Sequence, residues 1–428
     1  MTVDPRRDLW LASGLRTPFA KVDGALAAHD ALGLSVPVAK AMLDQQAVSG
    51  LPDFAVWGTV VPNLTWSNLA REVLIEAGAP AVIPAFSTGM ACSTSMTGAL
   101  QAASMIDGRS RHLALVGGAE SMSRIQLGLG QNLSDWLRGF QRQRTWGQKL
   151  AHALALKRRD VALYLPAIRN RTTGLSMGEH TEITAKAWSI AREDQDRVAL
   201  ESHQRAVSAW EKGFFDSLVI PAGKVTRDSV PRPDTSLAKL AKLSPAFDPS
   251  SGAGTLTAGN SSPLTDGAAG LWVGDTAGMQ RLDSSLPRVR LVDWELTAVD
   301  FRTEGLLMAP AYGVPRLLAR HGLRLPDIAL WEIHEAFAAQ LLFHIRALED
   351  ANFLREKVGI TAPLGTFPRQ SVNPNGGSTA IGHPFGATGA RLLSQIVKEL
   401  AAMPRGSYGV ASICADGGQG SVALLQAA

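Results

Sequence analysis

The chain has 428 residues, of which 46% are hydrophobic and 19% charged. That is enough apolar material for two or three domains, and it excludes a disordered tail. The formal net charge of +4 is too small for the global basic field of a nucleic-acid binder.

The opening MTVDPRRDLW lacks the apolar stretch of a secretory signal, so none is expected. A strand is predicted from Asp8 to Ala12, leading to the turn Arg16-Thr17-Pro18. Phe54 to Val60 is a second apolar run. From Ala77 to Ile106 no residue is charged, but Pro80, Pro84, Gly89 and Gly98 interrupt the segment. It therefore reads as buried strand, loop and helix, not as a continuous membrane span of roughly 20 residues. Within it, Gly89-Met90-Ala91-Cys92-Ser93-Thr94-Ser95 leads into a helix whose residues are small or apolar on nearly every side, the mark of a buried helix. The next strand, Leu113 to Val116, is expected to end at Gly117-Gly118.

The stretch Ser123 to Gly252 differs in character, being rich in Arg, Trp and Gln and later in Pro. A loop domain inserted in the first half is the simplest account, with an amphipathic helix from Arg192 to Lys212. Between Gln131 and Arg171 there are nine basic and two acidic residues, a local balance of +7. Leu133, Trp136, Leu137 and Phe140 fall on one helical face, and Trp146, Leu150, Ala153 and Leu154 repeat the pattern after Gln141-Arg142-Gln143-Arg144. Two short helices with a basic turn are expected. They either pack on their own domain or form a surface hairpin that docks on an anionic membrane or a partner subunit. The tract Thr255 to Val273 returns to the first half.

The last third repeats the plan of the first. The apolar run Asp327 to Ile333 leads to His334-Glu335-Ala336-Phe337. A glycine-rich turn, Gly382-His383-Pro384-Phe385-Gly386, precedes a helix from about Gly389 to Ala402. The strand Tyr408 to Ile413 then enters Cys414 and the pair Gly417-Gly418. Turn, helix, strand and glycine pair recur in the same order, which reads as two related α/β halves from an internal duplication.

Cys92 and Cys414 are the only cysteines. A disulfide framework is not expected, and a reducing cytoplasm is the default. A thiol at a helix N-terminus faces unpaired N–H groups and the positive end of the helix dipole, which favour a thiolate. A neutral imidazole in a glycine-flanked turn, as at His383, can accept a thiol proton. Cys414 ends a strand, where ligands sit in α/β folds.

Together these motifs resemble the thiolase superfamily. They are Cys92-Ser93-Thr94-Ser95, His-Glu-Ala-Phe, Gly-His-Pro-x-Gly-Ala-Thr-Gly, and a terminal Cys-x-x-Gly-Gly-x-Gly. Arg16-Thr17-Pro18, Met177-Gly178, the Ser189–Asp196 tract, Gly259-Asn260-Ser261-Ser262 and Thr265–Ala269 match as well, so the likeness runs nearly end to end. Most members carry Asn where this chain has His334. Histidine there, together with Gly305–Tyr312 and the basic insertion, is similar to the thiolase subunit of fatty-acid β-oxidation trifunctional complexes.

The resemblance implies two αβαβα halves, residues 1–122 with 253–277 and residues 278–428, and a loop domain at 123–252. It implies a homodimer in the cytoplasm, with a hydratase/dehydrogenase partner subunit or peripheral membrane contact through 131–171. The implied reaction is cleavage of 3-oxoacyl-CoA by coenzyme A to acetyl-CoA and a shortened acyl-CoA. Coenzyme A is a substrate, and no metal or other cofactor is needed. By matching positions, Cys92 would be acylated and His383 would take its proton. His334 would support the thioester oxyanion. Cys414 would protonate the departing enolate and then deprotonate incoming CoA. Backbone N–H groups at Cys92 and Asp416 would form a second oxyanion hole, and Met177, Ser262 and Phe337 would line the CoA or acyl channel. Asp416 stands where the family usually has Gly or Ala, and its carboxylate must be paired or point away if it is not to raise the nearby thiol pKa values. The alternatives are an acetoacetyl-CoA thiolase running the condensation, a decarboxylating ketosynthase, against which Cys414 argues, and a non-catalytic acyl-CoA-binding relative.

Overall fold

The computed structural model describes residues 8–164, 166 and 168–428. Among these, ten strands form one sheet. In the first half they are β1 (Leu9–Ala12), β2 (Ala20–Lys21), β3 (Phe54–Gly58), β4 (Ala85–Phe86) and β5 (Leu113–Glu120). A separate two-stranded ribbon, β6 (Gly128–Leu129) with β7 (Leu163–Tyr164), lies in the middle of the chain. The large sheet is completed by β8 (Thr265–Asp275), β9 (Arg288–Ala298), β10 (Ile328–Ile333), β11 (Tyr408–Ala415) and β12 (Gln419–Gln426).

The strand order is β10-β11-β12-β9-β1-β8-β5-β3-β4, with β2 beside β8. It is a pseudo-symmetric arrangement. In the first half β3 and β5 are parallel and β5 and β8 antiparallel. In the second, β10 and β11 are parallel and β11 and β12 antiparallel. The halves join where β1 pairs antiparallel with β9. The α/β class and the repeated order of turn, helix and strand are thus both present, although the first glycine pair lies inside its strand.

Two helices occupy the centre. Nine of the twelve residues of Thr94–Met105 are buried, as its sequence requires, because no face is polar enough for water. The helix Thr388–Leu400 packs on it and touches strands of both halves. Outer helices, Ala31–Gln45 and Leu69–Glu76 on one side and Ala309–Arg320 and Ala338–Glu349 on the other, cover the remaining faces. The region 123–252 contributes the helices Met177–Ala187 and Arg192–Glu211, which lie against Ala338–Glu349 in the second half.

The glycine pair Gly117-Gly118 does not end its strand, contrary to the sequence expectation. The strand runs on to Glu120. The reason is close approach: a Cβ on Gly117 would meet the Trp57 ring at 2.4 Å, and one on Gly118 would lie 2.1 Å from the Gly386 carbonyl oxygen. Gly386 belongs to the turn that carries His383, so the first half is seated directly on that turn. Gly118→Ala is expected to destabilise the protein by about 1–3 kcal/mol through overpacking. It should also lower turnover roughly tenfold or more, because the His383 turn must move. Chemical unfolding and steady-state assays of the variant check this, and wild-type turnover would contradict it.

Candidate active site

Cys92 sits two residues before the first residue of the central helix Thr94–Met105. The preceding residue, Ala91, adopts a left-handed backbone with φ +44°, a conformation that costs a non-glycine residue about 1–3 kcal/mol. Thr94 holds this turn. Its hydroxyl donates to the Ala91 carbonyl at 2.7 Å and accepts from the Met90 N–H at 2.9 Å. The turn presents the Cys92 thiol, partly exposed, to a cavity of about 270 Å³.

The other wall comes from the second half. His383 follows the short helix Ser378–Ile381 and precedes Thr388–Leu400. Its Nδ1 lies 2.6 Å from the Thr388 hydroxyl, which itself donates to the Pro384 carbonyl at 2.9 Å. A hydroxyl has one hydrogen, and here it is spent on the carbonyl. Thr388 therefore accepts from His383 Nδ1–H, and the bare nitrogen is Nε2, which has no partner among the described residues. His383 is thereby set as a proton acceptor. Cys414, on β11, lines the same cavity and is almost fully buried.

Met177, Ser262, Phe337 and Asp416 also line the cavity. Ser262 is fixed by hydrogen bonds from its hydroxyl and its N–H to the Ala336 carbonyl, at 2.9 and 3.0 Å. Phe337 stands edge-on to Phe247 with ring centres 5.7 Å apart. His334 lies one layer behind, fully buried, with its ring centre 4.1 Å from that of His383. The Asp416 carboxylate is paired: Oδ1 accepts from Asn170 Nδ2 at 2.9 Å and from the Gly417 N–H at 2.7 Å.

The helix start does not hold Cys92 as a thiolate. Burial pushes the thiol up to about 12, and the charges of Asp416 and Glu120 add to the shift, against a smaller opposing effect of its own N–H. Burial likewise raises Cys414 well above the ordinary thiol range, with Cys92 adding to it. The imidazoles move the other way. Burial lowers His383 to about 3, helped by the positive charge of Arg391. His334 is lowered well below its usual value by burial, then by His383, Arg391 and His344. At neutral pH the two thiols and the two imidazoles of the site are therefore all uncharged before a substrate arrives.

Glu120 was not singled out by sequence. It accepts from the Thr59 hydroxyl and the N–H groups of Val60, Val61 and Gly386, at 2.9–3.2 Å. It thus ties together the two cavity walls, and burial raises it to about 7. Its one sequence signal is a lone carboxylate closing an apolar strand. Cys92 Sγ and ring nitrogens of His334 and His383 all lie within 4.8 Å of one another. Among the described residues this is the one His/Cys/Asp/Glu grouping spaced to hold a metal ion, and it puts a thiol beside two imidazoles.

The family described as "Thiolase, N-terminal domain" matches residues 9–276, and "Thiolase, C-terminal domain" matches residues 286–427. The chain belongs to the thiolase family. Two relatives named 3-ketoacyl-CoA thiolase support the assignment, from Yersinia enterocolitica serotype O:8 / biotype 1B and Yersinia pestis (strain Pestoides F). They are 36% and 37% identical over 423 residues, covering 97% of this chain and 96% of each relative. Among solved structures, the Bacillus anthracis acetyl-CoA acetyltransferase is 27% identical with a TM-score of 0.79 and full coverage of both chains. The Ascaris suum Acat5 thiolase, solved in complex with coenzyme A, is 27% identical with a TM-score of 0.77, covering 99% of this chain and all of that one. As a thiolase the protein is an acyltransferase, and its cavity is where acyl transfer is to be sought.

A raised thiol gives a checkable pH dependence. Below its pKa the Cys92 sulfur is protonated, so the reactive thiolate fraction grows about tenfold per pH unit. Alkylation of Cys92 by iodoacetamide in the substrate-free thiolase is expected to rise continuously from about pH 6 to about pH 9. A plateau near neutrality would instead report a resting thiolate–imidazolium pair.

Proposed function

We propose that this thiolase cleaves 3-oxoacyl-CoA with coenzyme A in the degradative direction, through an acyl-enzyme on Cys92. The observation that carries the reading is the convergence of two thiols and a neutral acceptor imidazole on one cavity. The names of the Yersinia relatives point the same way. Beyond the thiols the cavity is walled by Val60, Val61, Pro62, Ile125, Leu264 and Leu307, a lining suited to an acyl chain.

In this scheme His383 Nε2 takes the Cys92 proton as sulfur attacks the 3-keto carbon. The tetrahedral adduct collapses, the carbon–carbon bond breaks, and its electron pair leaves as the enolate of acetyl-CoA. Cys414 gives the enolate its proton and becomes the thiolate. Incoming CoA gives its own thiol proton to Cys414 and attacks the Cys92 thioester. The released Cys92 sulfur recovers its proton from His383. Covalent catalysis divides one difficult cleavage into two easier steps. Donors aimed at the developing oxyanions supply a large share, roughly 2.7–4 kcal/mol for each. His334 and the N–H groups of Cys92 and Asp416 are the candidates for that work, and Met177, Ser262 and Phe337 for the pantetheine or acyl channel.

Incubation with acetoacetyl-CoA is expected to leave an acyl group on Cys92, detected by mass spectrometry of peptides. Cys414→Ala should still be acylated there but should lose thiolysis by several orders of magnitude. Acylation of Cys414 with Cys92 free, or near-normal cleavage by Cys414→Ala, contradicts the scheme.

The segment 131–171 also bears on function. Its helices, Gln131–Arg142 and Trp146–Leu154, stand on the β6–β7 ribbon and hold each other. Trp136 stacks on Phe140 and on His152, each at 5.5 Å, and its Nε1 donates to the His152 carbonyl at 3.0 Å. Two of the apolar residues on the first helix face are therefore half-buried inside the hairpin. The outward apolar stripe lies on the second helix: Trp146 is 86% exposed, Leu154 79% and Leu150 63%. Lys149, Lys157 and Arg158 flank it, and the segment's +7 balance is complementary to an anionic membrane surface. We propose peripheral docking of this stripe on such a surface. No helix among the described residues is long and apolar enough to cross a membrane. Flotation with phosphatidylserine-containing vesicles should show salt-sensitive binding, lost when Trp146, Leu150 and Leu154 become Ser, with thiolysis retained. Absence of binding at low salt overturns the docking proposal.

A further inference from the structure

The two histidines of the site are held by different partners, and the difference has a chemical consequence. His334 Nδ1 lies 2.8 Å from the Ser378 hydroxyl oxygen. That oxygen also accepts from Arg391 Nη2 at 2.7 Å. Arg391 has no lone pair to offer, so it can only donate. No other hydrogen bond of the Ser378 hydroxyl forms among the described residues. Its single hydrogen therefore has one acceptor, His334 Nδ1. An imidazole that accepts at Nδ1 carries its hydrogen on Nε2. Thr388 does the opposite for His383, because its hydroxyl hydrogen goes to the Pro384 carbonyl.

We infer that Ser378, oriented by Arg391, is a positioning residue that fixes His334 as an Nε2–H donor beside His383, which is fixed as an Nε2 acceptor. Both Nε2 atoms are buried and without a partner among the described residues, and both rings stand against one another beside Cys92. One ring can then take the thiol proton while the other donates to the oxygen of the same acyl carbon. Neither has to exchange a proton with its neighbour first. Were both held in the same tautomer, the site would have two bases and no donor, or two donors and no base.

The device reaches back into the core. Arg391, on the central helix Thr388–Leu400, is itself almost fully buried. Its Nη1 lies 3.6 Å from Oε2 of Glu332 on β10, and the other oxygen of Glu332 accepts from Gln395 Nε2 at 3.1 Å. The guanidinium is thus aimed at Ser378 from a fixed position. β10 leads directly to His334, whose backbone N–H is anchored on the Ser412 carbonyl at 2.8 Å. Ring and orienting hydroxyl are therefore set by the same two elements.

The catalytic meaning rests on the thiolase reading, but the tautomer itself is measured without substrate. Nitrogen-15 NMR of the full chain labelled at histidine, with His334→Asn to assign the signals, is expected to show His334 protonated at Nε2 and bare at Nδ1. In Ser378→Ala that signature should give way to a mixture of tautomers. Turnover should fall roughly tenfold to a hundredfold, less than the roughly 10²–10³ for deleting an oxyanion donor outright, with KM changed by less than about threefold. The amide of His334→Asn does not depend on a tautomer, so adding Ser378→Ala in that background should cost less than about twofold. Wild-type His334 protonated at Nδ1 overturns the inference, whether or not Ser378→Ala folds. So does an unchanged tautomer in Ser378→Ala, or an equal loss in both backgrounds. Failure to acylate Cys92 would instead remove the thiolase scheme and leave the tautomer assignment standing.

Discussion

The site depends on how closely two buried helices approach at the centre of the molecule. A Cβ on Gly389 would lie 2.3 Å from the Met96 backbone nitrogen, so only glycine lets Thr388–Leu400 settle onto Thr94–Met105. The Ala390 N–H donates to the Ser95 hydroxyl at 2.8 Å across the same contact. Cys92 precedes one of these helices and His383 precedes the other. The contact that joins the halves therefore also sets the distance between Cys92 and His383. The hydroxyl of Ser93, beside Cys92, meets that of Ser421 on β12, which adds a tie to the far half.

Burial on this scale dictates the electrostatics. A charge is expensive where water is excluded, so burial keeps the thiols and imidazoles of the site neutral at rest. Arg391 lies beside Glu332, and Glu335 is held by the Ser202 hydroxyl and the Asn373 amide at 2.8 and 2.7 Å. In the proposed reaction new charge develops on groups that are neutral at rest, where it would meet fixed dipoles instead of mobile water, the condition under which preorganised donors are most effective.

Much of this was legible in the sequence, for identifiable reasons. Cys92, His383 and Cys414 stand in small-residue or glycine-rich turns next to apolar runs, and such local signals survive without knowledge of the fold. The duplicated plan could be read because its glycines recur in order. Glu120, Ser378 and Arg391 carry no such signal. Each acts through a hydrogen bond to a residue whose neighbourhood only the fold defines: Glu120 to Gly386, Arg391 to Ser378. Gly117-Gly118 reads as a strand end on sequence because glycine marks turns as well as close approach, and the Trp57 ring and Gly386 that demand it lie 60 or more positions away. The hairpin 131–154 is helical, as its periodicity predicts. Periodicity gave each apolar face, but not that the Trp136 face closes on His152 while the Trp146 face remains open.

Asp416 shows how a local departure is absorbed. A carboxylate at the mouth of a site that must develop negative charge is unfavourable in itself, and it does raise the Cys92 thiol. Its Oδ1 is nevertheless occupied by Asn170, whose own Oδ1 caps the N–H groups of Thr172 and Thr173 at 3.0 and 3.2 Å. Asn170 belongs to the region between the halves, which on sequence reads as an insertion. The carboxylate thereby fastens that region to the turn after Cys414, a tie that Gly or Ala at this position has no side-chain acceptor to make. The cost is a less acidic Cys92 thiol. Under the proposed scheme that cost is offset because His383 is neutral with its Nε2 bare, so that the thiolate need form only during attack.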